Sequence, residues 1–362
     1  MNSAARVAAH VELGERGYPI LVGRGLSRHI GEIIAELIPD VSGCVLVTSP
    51  TIDELHSEAV TVGLKGLSPV KLIVPDGEEA KTWTTAETVI GGLIEYGLKR
   101  SGVVVALGGG AVGDLAGFAA SIYLRGVRLI QAPTTLLGMV DSSIGGKTAV
   151  NHPRGKNLVG SFHQPSAVVV DPTLLETLPV REIRSGLAEV VKYGVIRDPG
   201  LFKYVEDNTE RLLGRDLEAL THVIKVSASI KAGYVEKDER DDKGVRAALN
   251  LGHTMGHAVE RLMRPQVRHG EAVSIGMIYV SRLSAEKNTM TRKDEARLRR
   301  ALTRLGLPTE IPELPGDELI TLMRRDKKAT GDDIMFVLPT GIGKEPVHAA
   351  VEEELIRETL KA

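Results

Sequence analysis

The sequence predicts an α/β protein with an N-terminal Rossmann-like parallel-sheet domain and a mainly α-helical C-terminal domain. The first half alternates short valine-, leucine- and isoleucine-rich runs with helical stretches. Such uniformly apolar strands, separated by helices, are typical of a parallel sheet covered on both faces. Residues 181–305 instead show long amphipathic patterns with few strand signals. We therefore expect domains at residues 1–180 and 181–362, with a ligand cleft between them.

Each predicted strand of the first domain is an apolar run that ends near Gly, Pro, Asp or Thr. These runs are Cys44–Thr48, Val70–Val74, Val103–Leu107, Val127–Gln131 and Ala167–Val170. The pair Val11–Leu13 and Pro19–Val22 flanks a Gly-Glu-Arg-Gly turn and predicts a hairpin. Ile334–Leu338 and Val347–Val351 predict a second hairpin near the end. Arg292–Leu305 predicts a helix whose charged face is solvated.

Composition excludes several classes of protein. The 362 residues carry a formal charge of −2, so no overall field attracts nucleic acid or an anionic membrane. The single cysteine, Cys44, lies in an apolar run, which predicts a core residue and excludes an internal disulfide or a cysteine-rich metal site. No run approaches the roughly 18 apolar residues of a membrane span, and the N-terminus lacks signal-peptide character. We expect a cytoplasmic protein with no nucleic-acid or membrane partner.

A glycine-rich loop follows the third strand of this series. Gly108, Gly110 and Gly113 have G-x-G-x-x-G spacing between a strand and a helix, where backbone N–H groups and the helix dipole favour a pyrophosphate. The acidic residue expected about 20 positions later is missing, because the next strand ends at Gln131. Asp114 lies inside the loop instead. The pattern fits either a tight turn or a dinucleotide bound in an unusual way.

Other polar residues follow the neighbouring strands. Asp76-Gly77-Glu78 with Lys81 follows one strand, and Thr134-Thr135 follows another. The ends of parallel strands line the ligand crevice of an open sheet, so these residues are candidates for the same site.

Histidines and a carboxylate predict a metal site in the helical domain. His253 and His257 are four residues apart on one helical face, and His269 begins the next helix. Glu189 lies on an apolar helix, where a carboxylate without a partner is costly. Two histidines, one carboxylate and an open position suit a catalytic zinc ion. Spacing alone makes His253 and His257 the first pair to consider, although any single histidine could be an ordinary hydrogen-bonded residue.

A polar, glycine-rich segment and nearby cations predict an anionic substrate. DSSIGGKTAVNHPRGKN is too polar for a core, and Lys192 follows Glu189 by three residues on one helical face. Together these cations suit a ligand with phosphate and carboxylate groups. The residues are Asp141, Lys147, Arg154, Lys156, Asn157, Lys192, Lys231, Arg246 and Asn250.

Taken together, these segments resemble the 3-dehydroquinate synthase family, a group of sugar-phosphate cyclases. The similar segments run in family order from about residue 70 to 330, so the resemblance is far more specific than a lone glycine motif. They are PDGEEAKT, ALGGGAVGDLAGFAA, QAPTTLLGMVDSSIGGKTAVNHPRGKN, LPVREIRSGLAEVVKYG, RAALNLGHTMGHAVE, HGEAVSIGM and RRDKK.

The resemblance implies a role for each matching residue. Zinc, or cobalt in its place, would be held by Glu189, His253 and His269, while His257 would face the substrate phosphate. NAD contacts would fall on Asp76, Gly77, Glu78, Glu79, Ala80, Lys81, Gly110, Ala111, Val112, Gly113, Asp114, Thr134 and Thr135, with Lys147 and Lys156 nearby. Substrate contacts would fall on Asp141, Lys147, Asn157, Lys192, Lys231, Arg246 and Asn250, and on Lys327 or Lys328.

The implied activity is conversion of 3-deoxy-D-arabino-heptulosonate 7-phosphate to 3-dehydroquinate plus phosphate, in the shikimate pathway of aromatic amino acid biosynthesis. It combines transient oxidation by NAD, phosphate elimination, re-reduction and an intramolecular aldol closure. Arg125 resembles an arginine that reaches the neighbouring subunit's phosphate, which implies a homodimer. Two features depart from the family pattern: Ser49 replaces an acidic or amide residue near the adenosine ribose, and the DERDDKGVR stretch is one residue longer than usual.

Three alternatives remain open from sequence. One is a polyol oxidoreductase similar to the glycerol dehydrogenases, which share a glycine-rich loop, a metal and two domains. Another is a cyclase acting on a different sugar phosphate. A non-catalytic NAD- or metal-binding protein is the third, but it would not need so many polar positions in one site.

Overall fold

A computed structural model describes residues 6–326 and 333–361. The chain divides into two compact units. One contains the residues up to Pro179 together with Leu220–Arg240, and the other contains Val180–Ala219 and the residues from Asp241 onward. The boundary predicted after residue 180 stays a prediction. Leu220–Arg240 lies beyond it in sequence but groups with the first unit.

The secondary structure begins with an α/β pattern and continues as a series of helices. The strands are β1 Arg6–Val11, β2 Tyr18–Val22, β3 Cys44–Thr48, β4 Val70–Ile73, β5 Val103–Gly108, β6 Arg128–Pro133, β7 Lys147–His152, β8 Gly155–Phe162, β9 Ala167–Val170, β10 Ile334–Leu338 and β11 Val347–Val351. The helices are α1 Ile30–Leu37, α2 Pro50–Gly63, α3 Trp83–Tyr96, α4 Gly110–Ile122, α5 Val180–Ile196, α6 Pro199–Asp207, α7 Thr209–Leu213, α8 Leu217–Lys237, α9 His253–Leu262, α10 His269–Glu286, α11 Arg292–Arg304, α12 Gly316–Asp326 and α13 Glu353–Lys361.

The first unit is built on a seven-stranded sheet of order β1-β2-β9-β6-β5-β3-β4. Every neighbouring pair is parallel except β1 with β2. The central strands β3, β5 and β9 are buried along their whole length, as their continuous apolar sequences predict. The predicted fold class is confirmed.

The sequence located most strands within one or two residues. Cys44–Thr48 and Ala167–Val170 have the predicted bounds, and the β10–β11 hairpin is antiparallel as expected. The first hairpin is present and its second strand lies within one residue of the prediction, but the first strand was placed wrongly, because β1 ends at Val11 rather than beginning there. β1 is an edge strand of the sheet, with the sequence RVAAHV. The β7–β8 hairpin was missed altogether, because its polar, glycine-rich sequence resembles a loop.

Cys44 is a core residue, as predicted. Its side chain is fully buried in β3, and burial raises the pKa of the thiol to about 12. The thiolate is therefore scarce at neutral pH, which makes Cys44 a packing residue.

Close helix packing defines the second unit. A Cβ atom added to Gly270 of α10 would lie 2.0 Å from the Ser185 carbonyl oxygen of α5. One added to Gly276 would lie 1.9 Å from the carbonyl oxygen of Gly252, the residue before α9. Only glycine allows these backbones to meet, so the three helices are fixed at short separation.

None of the described helices combines the length and the apolar character that crossing a membrane requires.

The glycine contact predicts a specific loss of stability. We expect Gly276→Ala to lower the free energy of unfolding by at least about 1–3 kcal/mol, because the added methyl group meets backbone atoms that cannot move aside easily. Urea unfolding would measure the change. Gly91→Ala in α3 is the matched control, since a Cβ there meets nothing within 4 Å. The control should be neutral or gain up to about 1 kcal/mol. Equal stability of Gly276→Ala and the unmodified protein would contradict the packing argument.

Candidate active site

Three side chains of the second unit meet in a compact group with metal-ligand chemistry. Glu189 lies in the middle of α5, while His253 and His269 are the first residues of α9 and α10. One potential ligand atom from each lies within 4.8 Å of the other two. Among the described residues, this is the group of three or more such side chains that could hold a metal ion.

The distances fit a tetrahedral ion. Glu189 Oε1 lies 3.4 Å from His269 Nε2 and 3.6 Å from His253 Nε2. Two donors that each lie about 2.1 Å from a tetrahedral zinc ion are themselves about 3.4 Å apart. The three side chains therefore have suitable chemistry and spacing for such an ion.

The two oxygens of Glu189 face different partners. Oε1 faces the histidines, whereas Oε2 forms an ion pair with Lys192 Nζ, one helical turn away. Both side chains are buried. Lys192 therefore fixes the carboxylate so that a single oxygen is presented to the histidines.

The histidines differ in their second ring nitrogen. His253 Nδ1 lies 3.1 Å from the backbone oxygen of Leu251, and His269 Nδ1 lies 3.2 Å from Glu260 Oε2. Burial lowers the pKa of His253 well below its usual value. Burial would also lower the pKa of His269, but hydrogen bonds to Glu189 and Glu260 outweigh it and raise that pKa to about 10. The pocket around His269 thus attracts positive charge.

The neighbouring polar residues of this unit lie on adjoining elements. The His257 ring is half-buried, with its centroid 5.3 Å from that of His253 and 6.2 Å from that of His269. Arg246 and Asn250 bound a 3₁₀ turn that packs on α5, and Arg246 is buried. His257 is outside the group of three ligand candidates, although its spacing made it the first partner for His253.

In the first unit, the glycine loop lies at the carboxyl edge of the sheet. Gly108 ends β5, and Gly110 begins α4, so free N–H groups of the helix face a recess beside the loop. A Cβ added to Gly110 would lie 2.8 Å from Ser142 Oγ. The Oγ atoms of Thr134 and Ser142 are buried without a hydrogen-bond partner among the described residues. Thr135, the next residue, accepts a hydrogen bond from Gly138 N–H. The helix N-terminus and these hydroxyl groups make this edge of the sheet a candidate position for an anion.

Lys81 links Asp114, a predicted cofactor residue, to Asn157, a predicted substrate residue. Its buried ammonium donates to Asp114 Oδ2 at 2.6 Å and to Asn157 Oδ1 at 2.5 Å. Gly77–Ala80 form the short 3₁₀ turn that leads to Lys81, and Ala111, Val112 and Gly113 lie in the first turns of α4. Burial raises the pKa of Asp114, and the Lys81 charge opposes that shift.

Ser49, which follows β3, lies beside Asp76, which follows the neighbouring strand β4. Hydrogen bonds from Ser49 and Thr51 lower the pKa of Asp76, and Thr51 Oγ1 donates at 2.8 Å. Ser49 is itself buried.

Lys231 and Asp141 form a second buried contact. Lys231 Nζ donates to Asp141 Oδ1 at 2.6 Å and to the Asp141 backbone oxygen at 2.7 Å. This contact connects α8 to the Gly138–Ser142 turn. Both residues were predicted to be near the substrate.

The other predicted cations are exposed. Lys147 begins β7, Lys156 lies on β8 with its Nζ 3.9 Å from Glu78 Oε1, and Arg125 follows α4. The longer DERDDKGVR stretch contributes the loop between α8 and the Arg246 turn. Lys327 and Lys328 lie outside the described residues, so the choice between them stays open.

Sequence reasoning missed Glu260 and Ser142. The signal for Glu260 was present, because His253, His257 and Glu260 have i, i+4, i+7 spacing on one face of α9. Ser142 had no such signal, since its position beside Gly110 depends on the folded turn.

Comparison with known proteins agrees with the predicted resemblance. A family model described as 3-dehydroquinate synthase N-terminal matches residues 71–185, and its C-terminal counterpart matches residues 186–329. A 3-dehydroquinate synthase from Geobacter metallireducens is 49% identical over 337 residues, which cover 92% of this chain and 93% of that protein.

Solved structures of related cyclases share the fold. A 2-deoxy-scyllo-inosose synthase complexed with carbaglucose-6-phosphate, NAD+ and Co2+ has a TM-score of 0.87 at 28% identity, covering 98% of this chain and 99% of that one. The 2-epi-5-epi-valiolone synthase ValA from Streptomyces hygroscopicus, with NAD+ and Zn2+ bound, has a TM-score of 0.85 at 28% identity and covers 98% of both chains.

The Lys81 contact predicts a measurable stability difference. Lys81→Met should lower the free energy of unfolding by about 3–5 kcal/mol, because it leaves the Asp114 carboxylate without its buried partner. Lys71→Met is the comparison, since Lys71 pairs with Asp53 where both side chains are about one third exposed. Its loss should be about 1 kcal/mol or less. Urea unfolding of both variants checks this, and equal losses would refute the special role of Lys81.

Proposed function

This chain belongs to the 3-dehydroquinate synthase family, and we propose that it converts 3-deoxy-D-arabino-heptulosonate 7-phosphate into 3-dehydroquinate and inorganic phosphate. The proposed reaction is that of a phosphate-eliminating cyclase, a carbon–oxygen lyase. The carrying observation is the group Glu189, His253 and His269, which has metal-ligand spacing in a chain matched by both family models. The cofactors are NAD and one divalent cation, zinc or cobalt.

The three-residue group would hold the cation. Its two imidazoles and one carboxylate leave an open coordination position, as in catalytic zinc sites. When bound, the cation supplies Lewis acidity to substrate oxygens, and NAD supplies a reversible hydride acceptor. Lys192 orients Glu189 for this task through the other carboxylate oxygen.

Several of the predicted substrate residues are cations, which suit an anionic substrate. As the resemblance implies, we assign contact with the substrate phosphate to His257, and other substrate contacts to Asp141, Lys147, Asn157, Lys192, Lys231, Arg246 and Asn250. Lys231 is held by Asp141, so its ammonium has a fixed position. The chain's main contribution is then to position the substrate and compensate its charge.

The cofactor assignment rests on the carboxyl edge of the sheet. The pyrophosphate would bind at the N-terminus of α4, beside Gly110–Asp114 and Thr134-Thr135. Two buried hydroxyls support this assignment, because neither has a protein partner in the described structure: that of Ser142, which lines the recess, and that of Thr134, which follows β6. The proposed NAD contacts also include Asp76–Lys81 and Lys156.

We also propose that the protein is a homodimer. Leu124 and Arg125 have positive φ values of 49° and 63°, and the turn leaves Arg125 exposed. We assign Arg125 to the phosphate in the neighbouring subunit's site. The cytoplasmic location expected from sequence stays a prediction.

The alternatives are less well supported. A polyol oxidoreductase would not require the phosphate-oriented residues of the β7–β8 hairpin, and the family match covers both halves of the chain. A different sugar-phosphate cyclase would share the fold and cofactors, so substrate choice needs a direct assay.

The activity test uses phosphate release. With the heptulosonate phosphate and NAD, we expect one inorganic phosphate per 3-dehydroquinate formed, without net NADH, because the hydride returns to the intermediate. Colorimetric phosphate detection and absorbance at the NADH band measure both. Glycerol as the substrate is the control. Net NADH from glycerol, with no phosphate from the heptulosonate, would favour the oxidoreductase.

The metal test separates His269, the first residue of α10, from His257 of α9. Chelation should abolish turnover, and zinc or cobalt should restore it. His269→Ala should lose bound metal, whereas His257→Ala should keep metal and weaken binding of the phosphorylated substrate, since only His269 belongs to the ligand group. Metal content by mass spectrometry gives the comparison. Equal metal loss in both variants would reject this division of roles.

A further inference from the structure

Glu260 has a position that the ligand assignment leaves unexplained. It lies on α9 seven residues after His253, on the same helical face, and its side chain is only 14% exposed. Its carboxylate Oε2 lies 3.2 Å from His269 Nδ1, across the gap between α9 and α10. A carboxylate at this depth is costly unless it has a partner.

The contact fixes the orientation of His269. Both ring nitrogens of His269 face carboxylates, with Nδ1 toward Glu260 and Nε2 toward Glu189. When Nδ1–H donates to Glu260, the Nε2 lone pair faces the metal-ligand group. We propose that Glu260 is a positioning residue, which holds His269 in the tautomer and ring orientation that bind the divalent cation.

The contrast with His253 makes the role specific. His253 Nδ1 has a neutral acceptor, the Leu251 carbonyl oxygen at 3.1 Å. A carboxylate acceptor raises the basicity of the imidazole that donates to it more than a carbonyl does. His253 is therefore held by a backbone carbonyl group, whereas His269 is held by a carboxylate that makes it the stronger donor to a cation.

Charge supports the same assignment. Glu189 and Glu260 together carry two negative charges, which match a divalent cation in a buried setting. Lys192 adds one positive charge on the Oε2 side of Glu189, so the loaded centre keeps a net positive charge. Such a centre suits an anionic substrate.

The test measures metal affinity, and it rests on the metal site of the proposed function. Zinc affinity is measured by chelator competition for the full-length unmodified chain, Glu260→Ala and Glu260→Gln. Glu260→Ala should bind zinc about 10–100-fold more weakly. Glu260→Gln should lose less, because its amide oxygen still accepts the Nδ1–H bond. The absorption spectrum of the cobalt-loaded protein should shift in Glu260→Ala, since His269 is released from its orientation.

Glu271→Gln is the matched control. Glu271 lies in the first turn of α10 and is 16% exposed, but it pairs with Arg181. Its zinc affinity should stay within about twofold of the unmodified chain. Circular dichroism checks that each variant folds, and Glu260→Gln alone carries the test if Glu260→Ala does not.

The outcomes are distinct. Zinc affinity of Glu260→Ala within twofold of the unmodified chain, or an equal loss in Glu271→Gln, would overturn the role of Glu260 and leave the proposed function intact. If Glu260→Ala does not fold, unmodified affinity in Glu260→Gln together with an unchanged cobalt spectrum would do the same. An unmodified chain that binds no zinc or cobalt would instead reject the metal centre itself, and this inference with it.

Discussion

The close approach of α5, α9 and α10 is the constraint on which the candidate metal centre depends. Gly270 meets the backbone of Ser185, and Gly276 meets that of Gly252, at separations that exclude any side chain. Gly270 and Gly252 are each next to a ligand candidate in sequence. Ser185 lies about one helical turn from Glu189, and Gly276 lies about two turns from His269. A short separation of the backbones lets the short side chains of Glu189, His253 and His269 converge on one point. The close packing of these helices therefore sets the spacing of the three potential metal ligands.

The first unit places its polar groups by a different physical rule. Parallel strands end at the same edge, so the residues after β4, β5 and β6 lie together without needing close sequence spacing. Lys81 then orders part of this edge by binding Asp114 and Asn157, which come from a helix and a hairpin far apart in sequence. Helix contacts place the candidate ligands of the second unit, whereas strand ends place the polar groups of the first.

The sequence was most informative where one physical signal dominated. Fully buried strands such as β3 and β9 have continuous apolar residues, and both were located with their observed bounds. The β7–β8 hairpin was missed because its sequence is polar and rich in glycine. Sequence spacing also favoured His257 as the second metal ligand beside His253. Spacing within one helix cannot show which neighbouring helix supplies another donor. Contacts such as Glu260 with His269 depend on the packing of two helices, which residue spacing alone does not determine.

The divided use of Glu189 has a thermodynamic consequence. One oxygen faces the histidines and the other binds Lys192, so the two interactions share a single carboxylate. A ligand that draws Lys192 away from Glu189 changes the affinity of the cation at the first oxygen. Reciprocity then requires the cation to change the affinity of that ligand by the same factor. Occupancy of the metal site and binding of such a ligand would then be coupled through the Glu189 side chain.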